Sequence, residues 1–233
     1  MTSLFMGNTP YAAAEQLMMQ PPGYVPRGGG MWRAPKLTFT AGDLDCKLCS
    51  HWEKRRCTLD RCVCLEERMQ AGAVSYDQLL DELIGRCANP GCRRRIRELA
   101  EAWDGALFTS QAHRITFSDN KSIYRRKKLT DKELAALFLL TSTPEMRERS
   151  WWVRQKSVID FSDVNLNGIS MEGYTLYQAA KTIALGGKWL TYADLGNPFL
   201  IDEATFRIIV HALLISLFGT SVTALEEGGY YAH

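Results

Sequence analysis

The chain has 233 residues, 46% of them apolar and 23% charged, with a net charge of +2. That is enough for one large domain or two small ones with a sizeable core, and too balanced in charge for general nucleic-acid affinity, which a strongly basic domain usually carries. The most apolar run, Ile208 to Phe218, is broken by His211 and falls short of the roughly 20 residues that a membrane span needs.

Residues 1–45 read as a leader. The opening MTSLFMGNTPYAAAEQLMMQ lacks the basic start and unbroken apolar stretch of a signal peptide, so a cytoplasmic location is expected. Thr9 and Pro10 suit the start of one short helix. From Pro21-Pro22-Gly23 to Gly28-Gly29-Gly30 the chain is expected to lack regular structure, with Tyr24, Met31 and Trp32 available as anchors.

Residues 46–103 hold all seven cysteines: Cys46, Cys49, Cys57, Cys62, Cys64, Cys87 and Cys92. The spacing is C-x2-C-x7-C-x4-C-x-C-x22-C-x4-C. Thiols stay reduced in the cytoplasm, so a cluster this dense points to a metal rather than to disulfides. Cys46-Lys-Leu-Cys49 has the knuckle spacing of structural zinc sites, and His51 follows two residues later. Seven cysteines and His51 suit two tetrahedral zinc sites; one four-ligand site with three spectators is equally allowed, and spacing does not decide the pairing. No C-x2-C-x2-C run supports an iron–sulfur cluster, and no βαβ pattern supports a redox C-x2-C. The same stretch carries two helices. Ser75 with Gln78 forms a capping box ahead of the stripe Tyr76, Leu79, Leu80, Leu83 and Ile84. Asn89-Pro90 opens a second stripe, Cys92, Ile96, Leu99, Ala100 and Trp103. Cys92 thus shares the buried face, while its place in a first turn favours thiolate.

Residues 104–128 read as a hairpin connector. Arg114-Ile-Thr-Phe117 and Ser122-Ile-Tyr124 flank the turn Ser118-Asp119-Asn120.

Residues 129–225 are expected to be a helical domain. Thr130 with Glu133 opens Leu134 to Leu140, Thr143-Pro144 opens a helix bearing Trp151 and Trp152, and Tyr174 to Leu185 stops at Gly186-Gly187. Thr191 with Asp194 caps a short helix. Asp202 begins a long one ending at Gly219, apolar on nearly every side and therefore suited to the centre of a bundle. His211 within it reads as a hydrogen-bonded core residue. Residues 226–233 form a tail. The fold class expected is mainly α with a small β-hairpin, a cysteine-rich metal-stapled N-terminal module and a C-terminal helical domain.

Three further features bear on function. Asp163-Val-Asn165-Leu-Asn167-Gly168 matches the first half of a calcium loop, but Tyr174 stands where the bidentate Glu belongs. Lys54-Arg55-Arg56, Arg93-Arg94-Arg95 with Arg97, and Arg125-Arg126-Lys127-Lys128 are basic clusters. Residues 43–101 nevertheless balance 11 acidic against 11 basic residues, so these clusters suit a solvated face or a protein interface as well as phosphate. Trp151-Trp152 among arginines could anchor a partner, because aromatic and arginine residues dominate interface hot spots. No G-x-S-x-G, P-loop or G-x-G-x-x-G is present, so no enzyme is expected.

Taken whole, the chain resembles small accessory proteins of bacterial mobile elements, and among them the zinc-containing anti-CRISPR proteins that inhibit Cas9. The residues carrying the resemblance are Cys46-Lys-Leu-Cys49-Ser-His51, Cys57, Cys62-Val-Cys64 and Cys87 to Cys92, with the helical part from Leu129 to Phe218. Anti-CRISPR proteins share no common motif, so no site carries over residue by residue. The resemblance implies structural zinc, a bacterial host, and a Cas9 partner blocked in target DNA loading or in a conformational step. The alternative is a zinc-containing nucleic-acid-binding regulator or mobilisation accessory protein, with Arg93 to Arg97 and Arg125 to Lys128 on phosphates.

Overall fold

The structure is a computed structural model that describes residues 9–12, 14, 25–27, 31–33, 40–54, 56–59, 62–123, 129–151, 159–223 and 225. The chain divides into two compact units, 1–39 and 40–233.

In the first unit, the Thr9 hydroxyl accepts the Tyr11 N–H at 3.2 Å, at the position expected to start a short helix. Strands β1 (Val25–Arg27) and β2 (Met31–Arg33) pair antiparallel, Pro26 opposite Trp32. This corrects the expectation of irregular chain. The glycines separate two short strands, which is the hairpin use of such residues.

The second unit is mainly helical. A two-residue ladder joins β3 (Trp52–Glu53) to β4 (Arg56–Cys57). The helices are α1 (Leu65–Gln70), α2 (Tyr76–Arg86), α3 (Pro90–Glu101), α4 (Gln111–Ile123), α5 (Asp131–Thr141), α6 (Pro144–Arg149), α7 (Met171–Leu185), α8 (Tyr192–Leu195) and α9 (Glu203–Phe218). Their starts follow side-chain caps. Ser75, Thr130 and Thr191 each make a reciprocal capping box, and Asn89, Thr143, Ser170 and Asp202 each accept a backbone N–H of the first turn. Each cap contributes about 1 kcal/mol. Gly186 ends α7 at φ +73°, a left-handed conformation that disfavours a Cβ.

The expected hairpin over 113–128 is corrected: helix α4 covers residues 111–123. The reason is tertiary. His113, Phe117 and Asn120 fall at helical spacing and are all buried. Polar side chains of the expected hairpin donate within the helix instead: Thr116 to the Ala112 carbonyl, Asn120 to that of Thr116, and Ser122 to that of Asp119, although Asn120 Oδ1 is buried without a partner among the described residues. Residues 124–128 lie outside the described residues.

Helix α5 is the inner helix, packed most extensively on α7 and α9. All eight residues from Leu134 to Thr141 are buried, and Ala135 and Ala136 let its neighbours approach closely. Helix α9 is also central, as its composition predicts. With the 3-10 turn that follows, it forms a stretch, Glu203–Thr223, long and apolar enough to cross a membrane by length and composition. Its most apolar window is 67% buried inside the protein.

One hydrophobic cluster runs from Leu65 to Val222. Helices α1 to α3 and the later helices therefore share a core. Polar ties reinforce it. The Tyr76 hydroxyl of α2 meets His211 Nε2 of α9 at 2.9 Å. Buried Arg95 of α3 donates to the Leu195 and Asp202 carbonyls and to Glu203, with its guanidinium 4.0 Å from the Phe206 ring centre.

Candidate metal centre

Five of the seven cysteines line one cavity of about 480 Å³: Cys46, Cys49, Cys57, Cys62 and Cys64. Three local structures bring them there. The first is a 3-10 turn, Cys46–Leu48, capped by Asp45, whose carboxylate accepts the Lys47 N–H at 2.9 Å. It closes with the Cys49 N–H on the Cys46 carbonyl at 3.0 Å, which folds the C-x2-C into a knuckle. The second is the β3–β4 ladder, which carries Cys57 opposite Trp52. Lys54 turns this hairpin at φ 49°. The third is the start of α1, where Cys64 is the N-cap residue and Cys62 stands two residues earlier.

The thiols of Cys62 and Cys64 are 3.6 Å apart. Zinc–sulfur bonds of about 2.3 Å in a tetrahedron place sulfurs about 3.8 Å apart, so this pair already has ligand spacing. Burial, the contact with Cys62, and the nearby thiols of Cys62 and Cys49 push the Cys64 thiol up. Arg68 of α1 donates to Cys62 at 3.9 Å. Desolvation opposes its charge, but the Cys62 hydrogen bond and the fields of Cys46, Cys62 and Cys64 outweigh that and raise it. Cys62 and Cys64 are in contact, and Cys46 and Cys49 line the same cavity. Cys57 is exposed on its edge.

Among the described residues, no group of three or more His, Cys, Asp or Glu side chains is placed to hold a metal ion. The donor chemistry nonetheless fits zinc. Four thiols on a knuckle and a helix start match the closed sulfur set of structural sites, and a divalent cation relieves the penalty of charging crowded thiols because ligation deprotonates them.

Cys87 and Cys92 do not line this cavity. Both are buried in the hydrophobic core. Cys87 ends α2 and donates to the Asn89 carbonyl at 3.6 Å. Cys92 sits in the first turn of α3, its N–H on Asn89 Oδ1 at 2.9 Å. Burial and the neighbouring Cys87 push the Cys92 thiol up to about 12, so the helix-start effect expected to favour thiolate is overridden. His51 does not line the cavity either; its carbonyl accepts the Thr58 N–H at 2.8 Å.

The other candidate features have internal uses. In the Asp163–Gly168 loop, the Arg149 guanidinium takes the carbonyls of Asn165, Asn167 and Gly168 at 3.0, 2.7 and 2.8 Å. These bonds tie the loop to α6 through its backbone carbonyls. Of the Arg93–Arg97 cluster, Arg95 is buried, Arg93 donates to the Cys87 carbonyl, and exposed Arg94 pairs with Glu98. Trp151 is half exposed. Trp152, Arg55 and Arg125–Lys128 lie outside the described residues.

The chain matches no protein-family model, no curated protein and no solved structure.

Proposed function

We propose that this chain is a binding protein, stapled by one structural zinc ion on Cys46, Cys49, Cys62 and Cys64, that inhibits Cas9 by docking on it. The convergence of these four thiols around one cavity carries the zinc reading. The Cas9 partner, the bacterial host and the mobile-element origin rest on the resemblance described above, and the absence of an enzymatic role rests on the lack of nucleophile and phosphate-cradle motifs in the sequence. Two observations support docking on protein over docking on nucleic acid. Arg93 and Arg95, half of the described basic cluster, are spent on internal carbonyls. Apolar side chains suited to anchoring a partner stand exposed, Phe199 completely and Trp151 by about half. Balanced charge also disfavours mimicry of DNA, which needs a strongly acidic face.

The test is co-migration of the full chain with Cas9 on a sizing column, with and without guide RNA, beside labelled DNA at two salt concentrations. A stable Cas9 complex and no DNA complex supports the reading. Binding to DNA alone, lost steeply as salt rises, replaces it with the nucleic-acid reading. Native mass spectrometry tests the zinc separately and expects one ion per chain.

A further inference from the structure

A second cavity, of about 570 Å³, lies at the end of the helical bundle. Its walls are Ile183 of α7, Leu195 of α8, and Ile209, Leu213 and Leu217 of α9, with Leu83 of α2 behind them. The volume falls in the usual range for small-molecule sites, which are mostly apolar with a few placed polar groups. Two of the lining residues are charged, and both are lysines: Lys132 in the first turn of α5 and Lys188 in the loop after α7. Among the described residues, no carboxylate lines the cavity. Among the described residues, neither lysine has an ion-pair partner.

The loop that forms the rim is held by its own contacts. Gly186 leaves α7 in the left-handed region, and a Cβ at Gly187 would meet the Trp189 ring at 2.0 Å, so the indole folds back onto that glycine. Lys181 Nζ lies 4.5 Å from the same ring, and the Leu190 N–H is bound by the Thr182 hydroxyl at 3.0 Å. These contacts occupy the loop residues that could otherwise fill the space.

We propose that this cavity binds a medium-chain acyl carboxylate, its hydrocarbon chain between α7 and α9 and its headgroup between Lys132 and Lys188. Apolar walls select the chain. Two unpaired ammonium groups and no acidic lining select an anionic head and reject a cationic one. The inference stands on different residues from the zinc centre and does not depend on it.

The test is calorimetric titration of the full-length protein with decanoate, decanol and decyltrimethylammonium, each below its micellar concentration. Decanoate should saturate at one equivalent and bind at least about tenfold tighter than the ammonium amphiphile, the effect of roughly 1.4 kcal/mol of headgroup attraction. The surface double variant Lys132→Gln/Lys188→Gln should lose that preference and keep its affinity for decanol. Ser216→Trp, which places an indole in the cavity wall, should abolish binding of both. No saturable decanoate binding, equal affinity for the two charged heads, or unchanged binding in Ser216→Trp each overturns the proposal.

Discussion

At Arg95 a guanidinium with 2% exposure is held by two carbonyls, one carboxylate and an aromatic face. Its neighbour Arg94 reaches only Glu98, at 3.7 Å across an exposed helix face. Burial separates the two energetically. Removing Arg95 leaves the Leu195 carbonyl without that donor inside the fold, whereas an exposed i,i+4 pair contributes a few tenths of a kcal/mol. Arg95→Ala should therefore cost about 2–3 kcal/mol in urea unfolding, and Arg94→Ala less than about 0.5 kcal/mol. Equal, small losses would mean that Arg95 is not the tie described. The three consecutive arginines look identical in sequence, because which of them faces inward depends on α8 and α9 about a hundred residues later. The cysteines divide for the same reason. Their number and the knuckle were legible, and Cys92 lay visibly on the buried stripe of α3. That Cys62 and Cys64 line the same cavity as the knuckle depends on the chain reversal at the β3–β4 ladder. Cys62→Ser should accordingly lose the metal and Cys87→Ser retain it, read as ions per chain by native mass spectrometry.

Among the elements, those with strong local signals were readable. Capping boxes at Ser75, Thr130 and Thr191 fix their helices through side chains three residues away, so no distant partner is needed to find them. Helix α4 was misread because Ile115, Thr116, Phe117 and Ile123 favour strands, while the deciding fact is that His113 and Phe117 pack on Phe138 of α5. Helix α1, six residues long, has no side-chain cap and no periodic stripe to announce it. The proposed zinc ion would support the elements unequally. Helices α2 and α3 are held by α8 and α9, but residues 40–64 contribute two 3-10 turns and a two-residue ladder, and among the described residues there none is buried. A zinc ion bound there, as proposed, would supply folding free energy that the core does not replace. Chelation should therefore raise amide exchange across 40–64 while leaving α2 and α3 protected, with little change in far-UV circular dichroism. Loss of protection throughout α2 and α3 would instead make the metal the support of the whole 46–103 stretch.

For the whole molecule, the two buried histidines bind the core together and make it sensitive to acid. His211 donates from Nδ1 to the Leu107 carbonyl at 2.8 Å and accepts the Tyr76 hydroxyl at Nε2. His113 accepts the Thr109 N–H at Nδ1, at 3.3 Å, and donates from Nε2 to the Phe138 carbonyl at 2.9 Å. Each ring is thus a fixed neutral tautomer, with one donor and one acceptor matched. Burial is the main force pushing both down from 6.5 to about 3; Arg207 assists at His211 and Arg147 at His113, while the accepting carbonyls oppose the shift. The unfolded chain therefore binds protons that the folded chain refuses. Stability from these residues is complete above the unfolded value of 6.5 and is lost as pH falls from there toward 3. The slope approaches about 1.4 kcal/mol per pH unit for each histidine. Between pH 6 and 4.5 the two histidines should outweigh Glu172, which burial raises and which therefore acts in the opposite direction, while carboxylates held low, such as Asp104, Glu145 and Asp202, stay ionised there. The unfolding midpoint in urea should fall steadily over that interval, with about half the slope in His113→Gln. The Cε1 proton resonances of both rings should not shift in the folded protein above pH 4.5. Resonances that titrate near 6.5, with a flat midpoint, would mean that water reaches both rings and that the packing joining α2, α4, α5 and α9 is looser than described.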